Sequence, residues 1–275
     1  GPPAAPAARA EKEAADAMQN SEKKQAWEPL GGGVEIQVSA AHRFCTDTVL
    51  LAHFSLPGPG ALCADLGTGC GAIPLLWATR GKPGRIYGVE VQPEAVELAR
   101  ASVLHNRLDG LVTILQQDLT DWPGLREKLR PDEAGAFHLV SCNPPYSVLG
   151  NGSTSSAQAQ AAARHECLCA FDDVAAAAER LLRWGGRFCF CLRPERLAEA
   201  CATVQRHGME PKRLRLVQQR PGKPPFLFLL QAVRGGRPGL TVEPVLFVEE
   251  PGEKTGRLSA EMRAIYGDYK EGHEA

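Results

Sequence analysis

Four apolar runs in this chain each stop at a polar residue. Ala61 to Cys63 leads to Asp65, Arg85 to Val89 to Glu90, Leu111 to Gln117 to Asp118, and Phe137 to Cys142 to Asn143. Runs of this length read as buried strands. The stretches after the first two, Ala72 to Thr79 and Pro93 to about Asn106, have helical spacing, and Pro93 suits the first helical position. Strand and helix in alternation predict an α/β protein. Its expected core is a Rossmann-like, doubly wound and mostly parallel sheet. Ligands of such sheets bind beyond the carboxyl ends of the strands, where these four polar residues lie.

Further along, Phe171 to Trp184 is expected as a helix closed by Gly185-Gly186, Arg187 to Leu192 as a strand, and Pro194 to His207 as a helix ended by Gly208. Leu214 to Val217 and Phe226 to Val233 have no helix between them, which predicts an antiparallel edge strand. Val34 to Val38 alternates as a short strand, and Thr46 or Asp47 can cap a helix beginning near Thr48. Residues 1–26 are rich in Ala, Pro, Glu and Lys, and read as a disordered or loosely helical leader. Residues 27–275 are expected to form one catalytic domain with N- and C-terminal extensions. The Ser/Gly/Ala/Gln-rich stretch 150–163 reads as a mobile loop.

No apolar run is long enough to span a bilayer, and the first residues lack a signal-peptide pattern, so a cytoplasmic protein is expected. The nine cysteines contain no Cys-x-x-Cys pair and read as reduced, buried thiols. Histidines at ligand spacing are missing, so no metal is expected. Between Leu181 and Leu240, twelve basic residues face three acidic ones, a local balance of +9 in a chain of net charge −1. That stretch is either a polyanion contact or a set of scattered, solvated arginines.

Asp65-x-Gly67-x-Gly69-x-Gly71 differs from the dinucleotide spacing Gly-x-Gly-x-x-Gly. Its glycines let backbone approach a ligand, and the following helix start favours an anionic group. Glu90 can accept from two ribose hydroxyls. Asp118 either accepts from an adenine amine or caps a helix. Thr46 and Asp47 either cap their helix alone or also contact the cofactor. Asn143-Pro144-Pro145-Tyr146 suits a planar amine, whose lone pair is delocalised into its ring. The Asn143 side-chain oxygen and the Pro144 carbonyl can hold both N–H groups, because proline fixes φ. Tyr146 offers a stacking face. The expected reaction is methyl transfer from S-adenosylmethionine to an sp² nitrogen.

These residues resemble the class I S-adenosylmethionine-dependent methyltransferases, in the branch that methylates sp² nitrogen. Within it, the chain is similar to bacterial tRNA (adenine-N6)-methyltransferases acting on valine tRNA. Phe44 to Ala52, Ala163-Arg164-His165-Glu166, Arg193 to Leu197 and Glu210 to Arg215 carry that likeness beyond the shared core. The resemblance implies the class I methyltransferase fold. It implies Asp65, Gly67, Gly69, Gly71, Glu90 and Asp118 at the cofactor, joined by Thr46, Asp47 and Asn143, and Asn143 to Tyr146 at the target base. It implies RNA, most simply tRNA, as the partner, contacted by Pro145, Arg164, Lys212, Arg213 and Arg215. Arg164 is equally well read as a structural ion-pair partner. Ser147 and Val148 stand where relatives often place an aromatic or basic residue. Ribosomal RNA stays open as an alternative substrate. A release-factor glutamine fits less well, because such enzymes carry a helical domain before the glycine turn.

Overall fold

The computed structural model describes residues 25–144, 171–251 and 256–267. Along the chain run β1 (Ala26–Gly31), β2 (Val34–Val38), α1 (Thr46–Phe54), β3 (Leu62–Leu66), α2 (Ala72–Arg80), β4 (Arg85–Glu90), α3 (Pro93–His105), β5 (Val112–Gln116), α4 (Trp122–Lys128) and β6 (Phe137–Cys142). A helix over 171–181, α5, precedes β7 (Leu182–Leu192). A 3₁₀ turn at Pro194–Arg196 leads to α6 (Leu197–Arg206), β8 (Met209–Gln218), β9 (Pro225–Arg234), β10 (Thr241–Val242), β11 (Leu246–Phe247) and α7 (Ala260–Tyr266).

The main sheet has the order β10-β8-β9-β7-β6-β3-β4-β5, with β11 also on β8. From β5 to β7 every pairing is parallel, and β9 runs antiparallel between β7 and β8. The expected α/β architecture with its antiparallel edge is what the chain adopts. Both faces of the central strands are covered. Cys63 and Ile86 pack with α1, α2 and α3, while Ala64, Leu66, Tyr87 and Val89 pack with α4 and α5. Burial on both faces is why these strands read as continuous apolar runs.

The free edge of β5 is guarded. Arg100 from α3 donates to the Ile114 carbonyl and Lys128 from α4 to that of Gln116, which blocks addition of another strand.

The structure differs from the sequence reading in several places. Leu182 to Gly186 belong to β7, and the helix before them stops at residue 181. A Cβ on Gly186 would stand 2.8 Å from the Phe137 carbonyl oxygen, and the β6–β7 register shifts just there. The two glycines therefore shape a strand irregularity and not a helix end. Strand β1, helix α4 and the short elements after β9 are elements that the sequence reading does not give. The helix expected within the leader and the loop at 150–163 lie outside the described residues. Among those described, no helix is long and apolar enough to cross a membrane, and no group of three or more His, Cys, Asp or Glu is placed to hold a metal ion.

Candidate active site

The turn after β3 begins the site. Gly67 (φ 69°), Gly69 (φ 56°) and Gly71 (φ 90°) all adopt left-handed backbone. Side chains rarely adopt it, which accounts for three glycines in five residues. Their surroundings differ. A Cβ on Gly67 or Gly69 would meet nothing within 4 Å, so open space lies over this backbone. On Gly71, the N-cap of α2, it would stand 3.1 Å from the Ala99 Cβ. Gly71 thus brings α2 close to α3.

Glu90 ends β4 and locks the turn. One carboxylate oxygen accepts from Gly69 N–H at 2.9 Å, and the other from Val91 and Gln92 N–H, each at 2.9 Å. A carboxylate has about four acceptor sites, so capacity for a further donor remains. Asp65 is 1% exposed. It is the register partner of Ser141 on β6, whose hydroxyl donates to Asp65 Oδ1 at 2.6 Å. Burial pushes the Asp65 carboxyl up to about 7, against the opposing bond from Ser141. Asp65 therefore sits beneath the turn, supporting it.

Asp118 is exposed just past β5. Its Oδ1 accepts from both the N–H and the hydroxyl of Thr120, each at 2.8 Å, and these bonds hold its carboxyl below the ordinary value. The cap of α4 is Asp121, which accepts from Gly124 N–H at 3.1 Å, so helix capping is not the task of Asp118. Asp118, Gln117 and Val91 line a cleft of about 550 Å³ that reaches Arg100 and Lys128. Open backbone at Gly67 and Gly69, a strand-end carboxylate with acceptor capacity, and an exposed apolar Val91 beside a polar cleft fit S-adenosylmethionine. They match its anionic end, its ribose and its flat base.

Asn143 follows β6 on the same end of the sheet. Its side-chain amide donates to the Thr48 hydroxyl at 3.1 Å, and its Oδ1 accepts from the Cys191 thiol at 3.2 Å. Thr48 and Cys191 escaped the sequence reading. Thr48 reads there as a helix residue and Cys191 as a core thiol, and only the strand order brings them to Asn143. Pro144 is buried beside Asn143. Pro145, Tyr146 and Arg164 lie outside the described residues.

Thr46 and Asp47 are not caps. They open α1 behind the N-cap Cys45, which makes no side-chain capping bond. The Thr46 hydroxyl bonds that of Tyr266 at 2.8 Å, tying α7 to the start of α1.

The basic residues of β8 are committed elsewhere. Arg213 pairs with Glu243 at 2.6 Å, donates to the Phe54 carbonyl at 2.8 Å and to Gln231 at 3.1 Å, and stacks 3.8 Å over the Phe54 ring. Arg215 pairs with Glu261 at 2.7 Å and donates to the Pro244 carbonyl at 3.0 Å. Both bind the C-terminal segment to the sheet, so Arg213 and Arg215 carry a structural role beside the RNA contact expected of them. Lys212 donates to the Arg237 carbonyl at 3.0 Å and takes no part in an ion pair among the described residues.

Comparison with known proteins agrees with this geometry. The chain matches the methyltransferase small domain family over residues 45–191. It is 30% identical over 213 residues to a tRNA1(Val) (adenine(37)-N6)-methyltransferase of Yersinia enterocolitica, covering 74% of this chain and 80% of the relative. A protein of the same description from Porphyromonas gingivalis is 29% identical over 193 residues, 69% of this chain and 73% of the relative. Among solved structures, a predicted O-methyltransferase from Agrobacterium tumefaciens superposes with a TM-score of 0.63 at 24% identity, over 82% of this chain and 97% of that one, which shows a shared fold. The family match spans the glycine turn, Glu90, Asp118 and Asn143, and the chain belongs to the methyltransferase small domain family as a methyltransferase that uses S-adenosylmethionine.

Proposed function

We propose that this protein methylates the N6 nitrogen of an adenine in tRNA, next to the anticodon of valine tRNA. The observation that carries the reading is the placement of Asn143. Its amide is held by Thr48 on the same end of the sheet as the open glycine turn and Glu90. The relatives named for that reaction support it over most of the chain.

In this reading the Gly67 and Gly69 backbone holds the methionine end of the cofactor, Glu90 the ribose, and Val91 with Asp118 the base. Bound S-adenosylmethionine supplies an electrophilic sulfonium methyl. The rest is positioning by this chain. The Asn143 side-chain oxygen and the Pro144 carbonyl accept the two N–H groups of the amine, which turns the nitrogen lone pair out of the ring. Tyr146 supplies a stacking face, worth about 1–3 kcal/mol for a base on an aromatic ring. Placement of this kind lowers a barrier by about 7–11 kcal/mol. No strong base is required, because the nitrogen that gains a methyl becomes acidic and sheds its proton to water. Arg193, at the end of β7, and Lys223, in the exposed β8–β9 turn, lie at the same end of the sheet and suit a polyanion. No disulfide joins any two of the seven described cysteines, which fits the cytoplasm as the site of action.

The deciding experiment compares purified valine tRNA, ribosomal RNA fragments and a release factor as methyl acceptors, with N6-methyladenosine measured in digests. Preferential labelling of valine tRNA is expected. Preference for either other acceptor overturns the reading.

A further inference from the structure

The foot of the sheet, at the opposite end from Asn143, carries an exposed tryptophan and cations that form no ion pair among the described residues. Trp184, near the start of β7, is 75% exposed. Its ring lies against the Gly235 backbone, where a Cβ would come within 2.2 Å of two ring carbons. Any larger residue at 235 would displace the ring, which rests on the Gly235 backbone while most of it meets solvent. Arg183 precedes it and is exposed. Arg234 donates to the Leu182 carbonyl, which holds its guanidinium at the start of the same strand. Lys212 donates to the carbonyl of exposed Arg237. None of these four cations forms an ion pair among the described residues, whereas Arg206, Arg213 and Arg215 pair with Asp172, Glu243 and Glu261. The nearby acid, Glu210, accepts from Gln205 at 3.3 Å.

We propose that this surface is a second contact for folded tRNA, remote from the reacting adenine, and the proposal rests on the tRNA reading above. Trp184 stacks on an accessible base, and Arg183, Lys212, Arg234 and Arg237 bind the sugar–phosphate backbone around it. An exposed aromatic ring with cations on the adjoining strand ends is the chemistry of nucleic-acid platforms. Charge complementarity selects the polyanion over a neutral protein partner. Trp184 lies eight residue steps before Leu192 along β7, about 26 Å of strand. The contact therefore lies beyond the turn that holds the target base and reads the body of the RNA. It binds without sequence information, because phosphates carry none.

The test measures affinity for whole valine tRNA and for its isolated anticodon stem-loop, with wild type, Trp184→Ala, Trp184→Phe and Arg183→Glu/Arg237→Glu. Thermal melts confirm that each variant folds. Trp184→Ala and the double variant are expected to bind whole tRNA at least tenfold more weakly, with Trp184→Phe partly restored. The double variant's salt dependence is expected to be shallower by about one unit of slope per cation lost. Stem-loop methylation is expected to stay unchanged. Whole-tRNA affinity within twofold of wild type in both would overturn the proposal. So would loss of a dimer in Trp184→Ala at unchanged tRNA affinity, which would make this face a subunit contact. Failure of the wild type to methylate either RNA would instead overturn the proposed function.

Discussion

The side-chain amide of Asn143 donates to the Thr48 hydroxyl across 3.1 Å, although the residues lie 95 positions apart. An amide free to rotate would present nitrogen or oxygen to a substrate amine with equal ease. The Thr48 oxygen selects the orientation in which the nitrogen is engaged and the Asn143 oxygen is the acceptor. Thr48→Val keeps the shape of the side chain and removes that acceptor. It is expected to lower kcat roughly tenfold, the worth of about one hydrogen bond. Cofactor affinity should be unchanged, and Thr48→Ser should restore the rate. Steady-state methylation with calorimetry of S-adenosylhomocysteine binding checks all three.

Asn143→Ala is expected to abolish most transfer while leaving cofactor affinity nearly unchanged, since it removes the acceptor of the amine and nothing that holds the glycine turn. Single-turnover methylation is the measurement. A near-normal rate would show that the amine is held by other groups.

Asp65 links stability to pH. Its carboxyl is pushed up to about 7, against an unfolded value of 3.8, chiefly by burial. The folded protein therefore holds a proton that the unfolded chain has already lost. Stability from this group falls as pH rises from about 4 to about 7 and then levels, a change on the order of 4 kcal/mol. Asp65→Asn keeps an acceptor for Ser141 and cannot ionise. The variant should gain on the wild type between pH 4 and pH 7 in urea titrations. Parallel curves for the two proteins would contradict this assignment.

Gly69 and Gly71 should respond differently to alanine. On Gly71 the added methyl meets Ala99 at 3.1 Å in left-handed backbone. The expected cost is about 1–3 kcal/mol of stability. On Gly69 it meets no protein atom within 4 Å and projects into the space assigned to the cofactor. Gly69→Ala should therefore weaken S-adenosylhomocysteine binding well beyond its effect on stability. Melting temperatures with and without ligand separate the two effects.

Arg213→Ala should act on the fold before it acts on RNA. The residue joins Phe54, Gln231 and Glu243, and its loss is expected to destabilise by about 2–3 kcal/mol. Denaturant unfolding measures the loss. Reduced tRNA affinity at full stability would return Arg213 to the role that its basic sequence context suggested.

The strand–helix alternation, the antiparallel edge and the polar residues ending β3 to β6 were legible along the chain. Each rests on local periodicity and on nearby breakers, as Pro93 shows at the start of α3 and the glycines after Asp65. Short-range pattern also misled. Gly185-Gly186 reads as a helix end, but packing against Phe137 makes it part of β7. The basic run at Lys212 to Arg215 reads as a surface, yet Glu243 and Glu261 draw two of its arginines onto the C-terminal segment. What joins Thr48 and Cys191 to Asn143, Ser141 to Asp65, and Thr46 to Tyr266 has no trace in any local window. Those bonds require β6 to lie between β3 and β7, and α1 to dock over that junction. Strand order and helix docking follow from the summed burial of both sheet faces, so partners far apart in sequence meet only once the whole core has packed.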